Sequence, residues 1–125
     1  NKCELNDRVI MLGSVDDVEA LYRKAKIYVL SSLNEGMPNA LLEAMSNGIP
    51  SISSNWPGVS NIISNNENGM IVPLKDIGAL SEKMLELYNN EELRHQLSKN
   101  SYLEVNKNFS EKIVAQKWLD TLNQI

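Results

Sequence analysis

Several residue types that mark particular protein classes are scarce in this chain. Its 125 residues include one cysteine, Cys3, and one histidine, His95, so neither an intrachain disulfide nor a Cys/His metal site can be built. No apolar run reaches the roughly 18 residues of a membrane-spanning helix, and residues 1–8 lack the apolar core of a signal peptide. These absences predict a protein of the reducing cytoplasm.

The chain also has fewer positively than negatively charged residues. The chain has 12 Lys and Arg against 16 Asp and Glu, which gives a net charge of −4. Binding a phosphate backbone requires clustered cations, whereas the cations here are scattered, so we expect no nucleic-acid partner. With 42% hydrophobic residues, the chain is long enough for one globular domain.

Short apolar runs alternate with helical patterns, which predicts an α/β fold with a parallel sheet. Turn or breaker residues close each run. The predicted strands are residues 9–12, 27–30, 51–53 and 70–72. Asp16 or Asp17 can cap the first helix, whose predicted apolar face carries Val18, Leu21, Tyr22 and Ala25. The further helices are predicted at residues 38–46, 59–63, 77–88, 91–105 and 111–122.

The segment after the second predicted strand carries the chemistry. It turns through Gly36 and Pro38 and enters a helix, so it lies at the carboxyl end of a parallel strand, where open α/β sheets bind ligands. The amides of Asn39 and Ala40 open the helix. They can receive a diphosphate, because a helix amino terminus holds unpaired N–H groups and partial positive charge.

Two glutamates flank this helix start. Glu43 lies one turn into the helix, and its side chain leans back toward the terminus, where it fits a carboxylate that accepts hydrogen bonds from ribose hydroxyls. Glu35, in the loop, projects toward the group beyond the diphosphate. If that group is a sugar, Glu35 would hold its hydroxyls.

The stretch from Glu35 to Ala44 resembles the Glu-seven-residues-Glu pattern of retaining glycosyltransferases of family 4, which have the GT-B fold. The resemblance continues at Gly48-Ile49-Pro50, Pro57-Gly58, Ile62-Ile63, Asn68-Gly69, Val72-Pro73 and Phe109-Ser110. It implies that residues 1–125 are a partial donor-binding domain, truncated on its amino-terminal side. Such a domain is a Rossmann-like, three-layer parallel sheet, here with about four strands, followed by C-terminal helices.

The resemblance also implies roles for individual residues. Glu35 would contact the donor sugar in the catalytic site, positioning it rather than attacking it, and Glu43 would bind the ribose. The donor-binding set around the helix start comprises Glu35, Gly36, Met37, Pro38, Asn39, Ala40 and Glu43, with backbone amides holding the diphosphate. Gly13 and Val15 would lie near the base. Asp17 would either accept hydrogen bonds from a guanine edge or only cap its helix.

A family member would transfer a sugar, with retention, from a UDP- or GDP-sugar to a saccharide or lipid-linked saccharide. We expect no metal or other cofactor, an acceptor bound by an absent amino-terminal domain, and a parent enzyme at the inner membrane face that assembles polysaccharide. The chain alone should be inactive, and exposed strand edges, above all residues 9–12, should favour self-association.

Two departures from the family pattern matter. In one loop, Pro57 replaces a glycine and Asn61 replaces a glutamate. In addition, the family's Arg and Lys that clamp the diphosphate lie on an earlier strand and helix, which we expect this truncated domain to lack. The alternative functions are a sugar-nucleotide epimerase of the same architecture and a non-catalytic α/β interaction module.

Overall fold

The protein is described by a computed structural model that covers Leu5 and residues 8–124, so Cys3 lies outside the described residues. Strands and helices alternate in the first part of the chain, and three helices follow. In order, the elements are α1 (Val18–Tyr22), β1 (Tyr28–Leu30), α2 (Asn39–Ser46), β2 (Ser51–Ser54), a 3-10 turn (Val59–Asn61), β3 (Met70–Val72), α3 (Ile77–Asn89), α4 (Glu91–Asn108) and α5 (Glu111–Leu122).

The strands form one parallel sheet in the order β1-β2-β3. Val29 of β1 lies opposite Ile52 of β2, and all carboxyl ends meet at one edge of the sheet. The class predicted from the sequence, α/β with a parallel sheet and C-terminal helices, is confirmed. The strands predicted at residues 27–30, 51–53 and 70–72 agree with the structure to within one residue at each end.

The strand predicted at residues 9–12 is wrong. Its four apolar side chains are between 53% and 90% exposed, and it pairs with no other strand in the part of the chain that the structure describes. A strand forms only where a neighbouring backbone completes its hydrogen bonds, and no described residue supplies that neighbour. Among residues 8–124 the sheet has three strands, rather than the predicted four or so.

Helix α1 is shorter than its apolar pattern predicts. It spans five residues and buries none of them, and Val18 and Leu21 are both more than one-third exposed. Asp17, rather than Asp16, caps it, because the Asp17 carboxylate accepts a hydrogen bond from the Ala20 amide at 2.9 Å. With little to pack against, the apolar face does not extend the helix, since helical stability in proteins comes mainly from tertiary packing.

Helix α2 ends at Ser46, the predicted bound, two residues before Gly48. Gly48 has a φ of +69°, a left-handed conformation that glycine adopts without strain. Its amide donates to the Met45 carbonyl at 2.9 Å, and the Ile49 amide donates to the Ala44 carbonyl at 3.0 Å. These two bonds form a Schellman motif, which satisfies the last carbonyls of the helix and turns the chain into β2.

Apolar side chains pack on both faces of the sheet, which confirms the predicted three layers. The cluster beneath α2 comprises Leu41, Met45, Trp56, Val59, Ile62, Ile63 and Val105, and Tyr28 and Leu30 of β1 pack against it. The cluster beneath α3 comprises Ile52, Met70, Val72, Leu87 and Leu97, and Ile27 and Val29 pack against it. Successive residues of β1 thus serve opposite faces, as the pleat requires. Helix α4 contributes to both clusters.

Three helices complete the described chain. Asp76 caps α3 through the Ala79 amide at 2.9 Å, and Asn90 caps α4 through the Leu93 amide at 3.0 Å. Helix α5 has the predicted bounds but buries no residue. None of the described helices combines the length and the apolar character needed to cross a bilayer.

Candidate functional site

The loop between β1 and α2 places exposed residues at the carboxyl edge of the sheet, and several of the amides there have no described backbone acceptor. Gly36, Met37 and Ala40 are exposed, and none of their amides donates to a backbone carbonyl among the described residues. The Asn39 amide differs from the sequence-based expectation, because it donates to the Met37 carbonyl at 2.9 Å. Pro38 is buried at the N-cap of α2. This cluster of amides at a helix amino terminus suits an anion.

Glu43 lies beside this cluster, one turn into α2. Its side chain is exposed, and its Oε2 accepts a hydrogen bond from the Tyr22 hydroxyl at 3.3 Å. The same hydroxyl is 3.3 Å from the carbonyl oxygen of Ala40. A carboxylate can accept about four hydrogen bonds, so most of the accepting capacity of Glu43 is open to a ligand.

Tyr22 stands in a pair with Tyr28, the first residue of β1. The ring centroids are 6.4 Å apart and the planes meet at 65°, an edge-to-face arrangement. Burial, and then the charge of Glu43, raise the pKa of Tyr22 to about 12. Burial also raises the pKa of Tyr28, with the charges of Glu35 and Glu43 adding to it. The charges of Glu35 and Glu43 therefore both contribute to the raised pKa of Tyr28.

The sequence did not single out Tyr22 as a site residue. Its helical spacing with Val18 and Leu21 indicates a packing role, and nothing local signals a contact with a residue 21 positions later. The one available signal is chemical, because a hydroxyl on an otherwise aliphatic helix face usually finds a polar partner when it is partly buried.

Glu35 is half-buried in the loop, and the hydroxyls of Ser32 and Ser54 hold its carboxylate in place. The Ser32 hydroxyl donates to Glu35 Oε1. The hydroxyl of Ser54, the last residue of β2, donates to the Ser32 carbonyl. Two bonds thus connect the end of β2 to the Glu35 carboxylate, so that this side chain is oriented by the sheet and not by the loop alone.

The predicted base-binding segment precedes α1. Gly13 has a φ of +65°, and Val15 is half-buried. Asp17 has its carboxylate at the α1 cap, and its Oδ2 is 3.9 Å from Arg23 Nη2. The interpretation of Asp17 as a helix cap is thereby confirmed. Contact of this segment with a base stays a prediction.

Trp56 and His95 have structural roles. Trp56 is buried beneath α2, and His95 forms a surface contact with Glu91 at 3.6 Å. Within the described residues, no three His, Cys, Asp or Glu side chains are grouped so that they could hold a metal ion. An apolar cavity of about 360 Å³ opens at the same edge beside α3, away from Glu43. We place the candidate site at the start of α2, because Glu35 and Glu43 flank it and the amides without a described backbone acceptor lie between them along the chain.

Known proteins match both the sequence and this architecture. The model of the family described as glycosyl transferases group 1 matches residues 1–104. A Campylobacter jejuni enzyme is 33% identical over 122 residues, which are 97% of this chain and 34% of the enzyme. Its name is GalNAc-alpha-(1->4)-GalNAc-alpha-(1->3)-diNAcBac-PP-undecaprenol alpha-1,4-N-acetyl-D-galactosaminyltransferase. The chain spans about a third of the length of this relative.

Solved structures show the same fold. Sucrose-phosphate synthase from Thermosynechococcus elongatus matches with a TM-score of 0.88 and 27% identity, over 96% of this chain and 31% of that one. Anabaena HepE, crystallised with UDP, matches with a TM-score of 0.92 and 19% identity, over 97% of this chain and 34% of that one. The Rossmann-like GT-B architecture implied by the stretch from Glu35 to Ala44 is confirmed, and the chain belongs to the family of glycosyl transferases group 1.

Proposed function

We propose that this chain supplies the donor-binding part of a glycosyltransferase that moves a sugar from a nucleoside diphosphate to an acceptor hydroxyl with retention of configuration. One observation carries the proposal: Glu43, whose carboxylate keeps most of its accepting capacity, lies one turn into α2, next to amides that donate to no described backbone carbonyl. An anion-binding helix start next to a hydroxyl-binding carboxylate matches the two ends of a ribose diphosphate. The UDP bound to Anabaena HepE supports this ligand class.

Each part of the donor has a proposed contact. The amides of Gly36, Met37 and Ala40 bind the diphosphate, and the Asn39 amide joins them when its bond to Met37 opens. Glu43 accepts hydrogen bonds from the ribose, and Glu35 accepts them from the sugar. The base lies near Gly13 and Val15. In this arrangement Asp17 either stays at its cap or turns toward a guanine edge.

In the proposed transfer step, the start of α2 stabilises the leaving diphosphate. The bond between the anomeric carbon and the phosphate oxygen breaks, and the acceptor oxygen bonds to the same face of the sugar. The hydroxyl proton leaves with a diphosphate oxygen. Negative charge grows on the leaving diphosphate, where the amides and the dipole of α2 stabilise it without rearranging.

The proposal also includes the chemical class of the acceptor. The Campylobacter relative is named for a saccharide carried on undecaprenol diphosphate. We propose a saccharide or lipid-linked saccharide acceptor, bound by a further domain of the intact protein at the cytoplasmic face of a membrane. None of the described carboxylates or amides favours an epimerase over a transferase.

Replacing Glu43 by glutamine in the intact protein tests the proposal. We expect the affinity for UDP, GDP or ADP, measured by calorimetry, to fall about tenfold, because hydrogen bonds to the carboxylate weaken when it becomes a neutral amide. Glu92→Gln, the same change on the exposed surface of α4, serves as the control and should leave binding unchanged. Unaltered affinity in Glu43→Gln contradicts the proposal. The absence of binding to any of the three nucleotides would favour an interaction module.

We also propose that the 125-residue chain self-associates through residues 9–12 and the free edge of β1. Residues 9–12 are four consecutive exposed apolar residues, and one edge of β1 pairs with no described strand. An open strand edge recruits other strands. Sedimentation velocity should show concentration-dependent association that the double variant Ile10→Lys and Met11→Lys abolishes. The pair Met84→Lys and Leu85→Lys, exposed apolar positions on α3, should retain it. Association that only the α3 pair abolishes contradicts this proposal.

A further inference from the structure

We propose that Tyr22 is a positioning residue for the donor, whose hydroxyl holds the Glu43 carboxylate in the orientation that receives the ribose hydroxyls. The inference rests on the proposed function of Glu43 and extends it to a different element, α1. The observation behind it is the contact between the Tyr22 hydroxyl and Glu43 Oε2 at 3.3 Å.

An exposed glutamate needs such a partner. Its side chain has several freely rotating bonds, and ordering them on binding lowers affinity. A ligand that finds the carboxylate already oriented loses less conformational entropy, so a second side chain that restrains Glu43 strengthens binding without touching the ligand. Among the described side chains, Tyr22 is the one that donates to this carboxylate.

Tyr22 is itself held by the rigid part of the fold. Its ring packs edge to face on Tyr28, and Tyr28 packs against the cluster beneath α2. A tyrosine side chain has only two rotatable bonds before its hydroxyl, so ring packing fixes the hydroxyl position. The restraint on Glu43 therefore comes from the sheet.

The hydroxyl has two acceptors, and its geometry leaves room for a ligand. It has one proton, which it shares between Glu43 Oε2 and the Ala40 carbonyl, both 3.3 Å away. Sharing accounts for two contacts that are longer than a typical O–H···O bond. Glu43 Oε1 and the second lone pair of Oε2 stay available for two adjacent ribose hydroxyls.

The hydroxyl also stays protonated. The raised pKa of Tyr22, about 12, results first from burial and then from the Glu43 charge. The folded protein therefore holds this proton more strongly than the unfolded chain. Tyr22 is a hydrogen-bond donor throughout the physiological pH range, and the contribution to stability would be lost only as the pH rises from 10 toward 12.

Tyr22→Phe removes the hydroxyl and keeps the ring. In the intact protein we expect affinity for UDP, GDP or ADP to fall by about three- to tenfold, the range for one hydrogen bond. Affinity for the corresponding 2′,3′-dideoxynucleotides should stay within about twofold, because they lack the hydroxyls that Glu43 binds. Tyr102→Phe, the same change at an exposed position of α4, is the control. A purely structural role of Tyr22 would weaken both nucleotide series alike.

A double-mutant cycle with Glu43→Gln separates this inference from the proposed function. If Tyr22 acts through Glu43, Tyr22→Phe causes no further loss in the Glu43→Gln background. Additive losses, equal losses for ribo- and dideoxynucleotides, or no loss in Tyr22→Phe while Glu43→Gln binds weakly each overturn the inference and leave the proposed function standing. Unchanged binding in Glu43→Gln overturns the proposed function, and the inference with it.

Discussion

Replacing Glu35 by alanine should lower the rate of donor turnover about a hundredfold or more and leave nucleotide affinity within about twofold. In the proposed complex, Glu35 contacts the sugar and not the diphosphate or the ribose. Its carboxylate is oriented by Ser32, and Ser32 is held by Ser54 of β2. Misplacing the reacting carbon by a small distance has a large effect on rate, because catalysis depends on a near-attack geometry.

This prediction is checked on the intact protein by following release of nucleoside diphosphate from UDP- and GDP-sugars, together with calorimetry of the free nucleotide. Glu35→Gln keeps the size of the side chain and part of its accepting capacity, so it should retain more activity than Glu35→Ala. Glu92→Gln on α4 should behave as wild type. A Glu35→Ala protein with undiminished turnover, or with turnover and nucleotide affinity reduced in proportion, contradicts the assignment.

The other large effect concerns stability. Trp56→Ala should lower the free energy of unfolding by about 3–5 kcal/mol, because it empties a large volume beneath α2. Trp56 is 3% exposed, and its indole Nε1 donates to Ser53 Oγ at 3.0 Å. The substitution therefore also removes the donor to a fully buried hydroxyl. Since domains of this size have about 5–15 kcal/mol of stability in total, much of the margin would be lost.

Urea unfolding followed by circular dichroism measures this change, and Trp118 provides the matched control. Trp118, on α5, is 66% exposed, so Trp118→Ala should change the free energy of unfolding of the 125-residue chain by less than about 1 kcal/mol. Trp56→Phe restores most of the apolar volume without the N–H group and should fall between the two. Equal losses for both alanine variants are incompatible with the packing described.

The strands could be predicted where the sequence contains both the apolar run and its ends. Residues 70–72 are bounded by Gly69 and Pro73, and the predicted bounds equal those of β3. Residues 9–12 show the same local pattern and form no strand, because strand formation also requires a partner backbone. Local sequence carries no information about whether that partner is present. Helix α1 stops early for a related reason, since its apolar face has little cover.

The candidate site could be predicted in part. Glu35 and Glu43 flank the start of α2 as expected, because glycine and proline fix where the loop turns and the helix begins. The bond between the Asn39 amide and the Met37 carbonyl could not be predicted, because it depends on the backbone conformation of the loop. The contact between Tyr22 and Glu43 could not be predicted either, because side chains from separate elements meet only in the folded chain.

The rigid packing of helix α2 limits how the candidate site at its start could change during evolution. Leu41, Ala44 and Met45 are fully buried, and the Schellman motif at Gly48 fixes the far end of the helix. If α2 binds a donor as proposed, a helix immobilised in this way cannot shift to suit a larger or smaller sugar. New preferences in such a protein would have to arise at exposed positions of the segments that lead into α1 and α2, such as Gly36 and Met37.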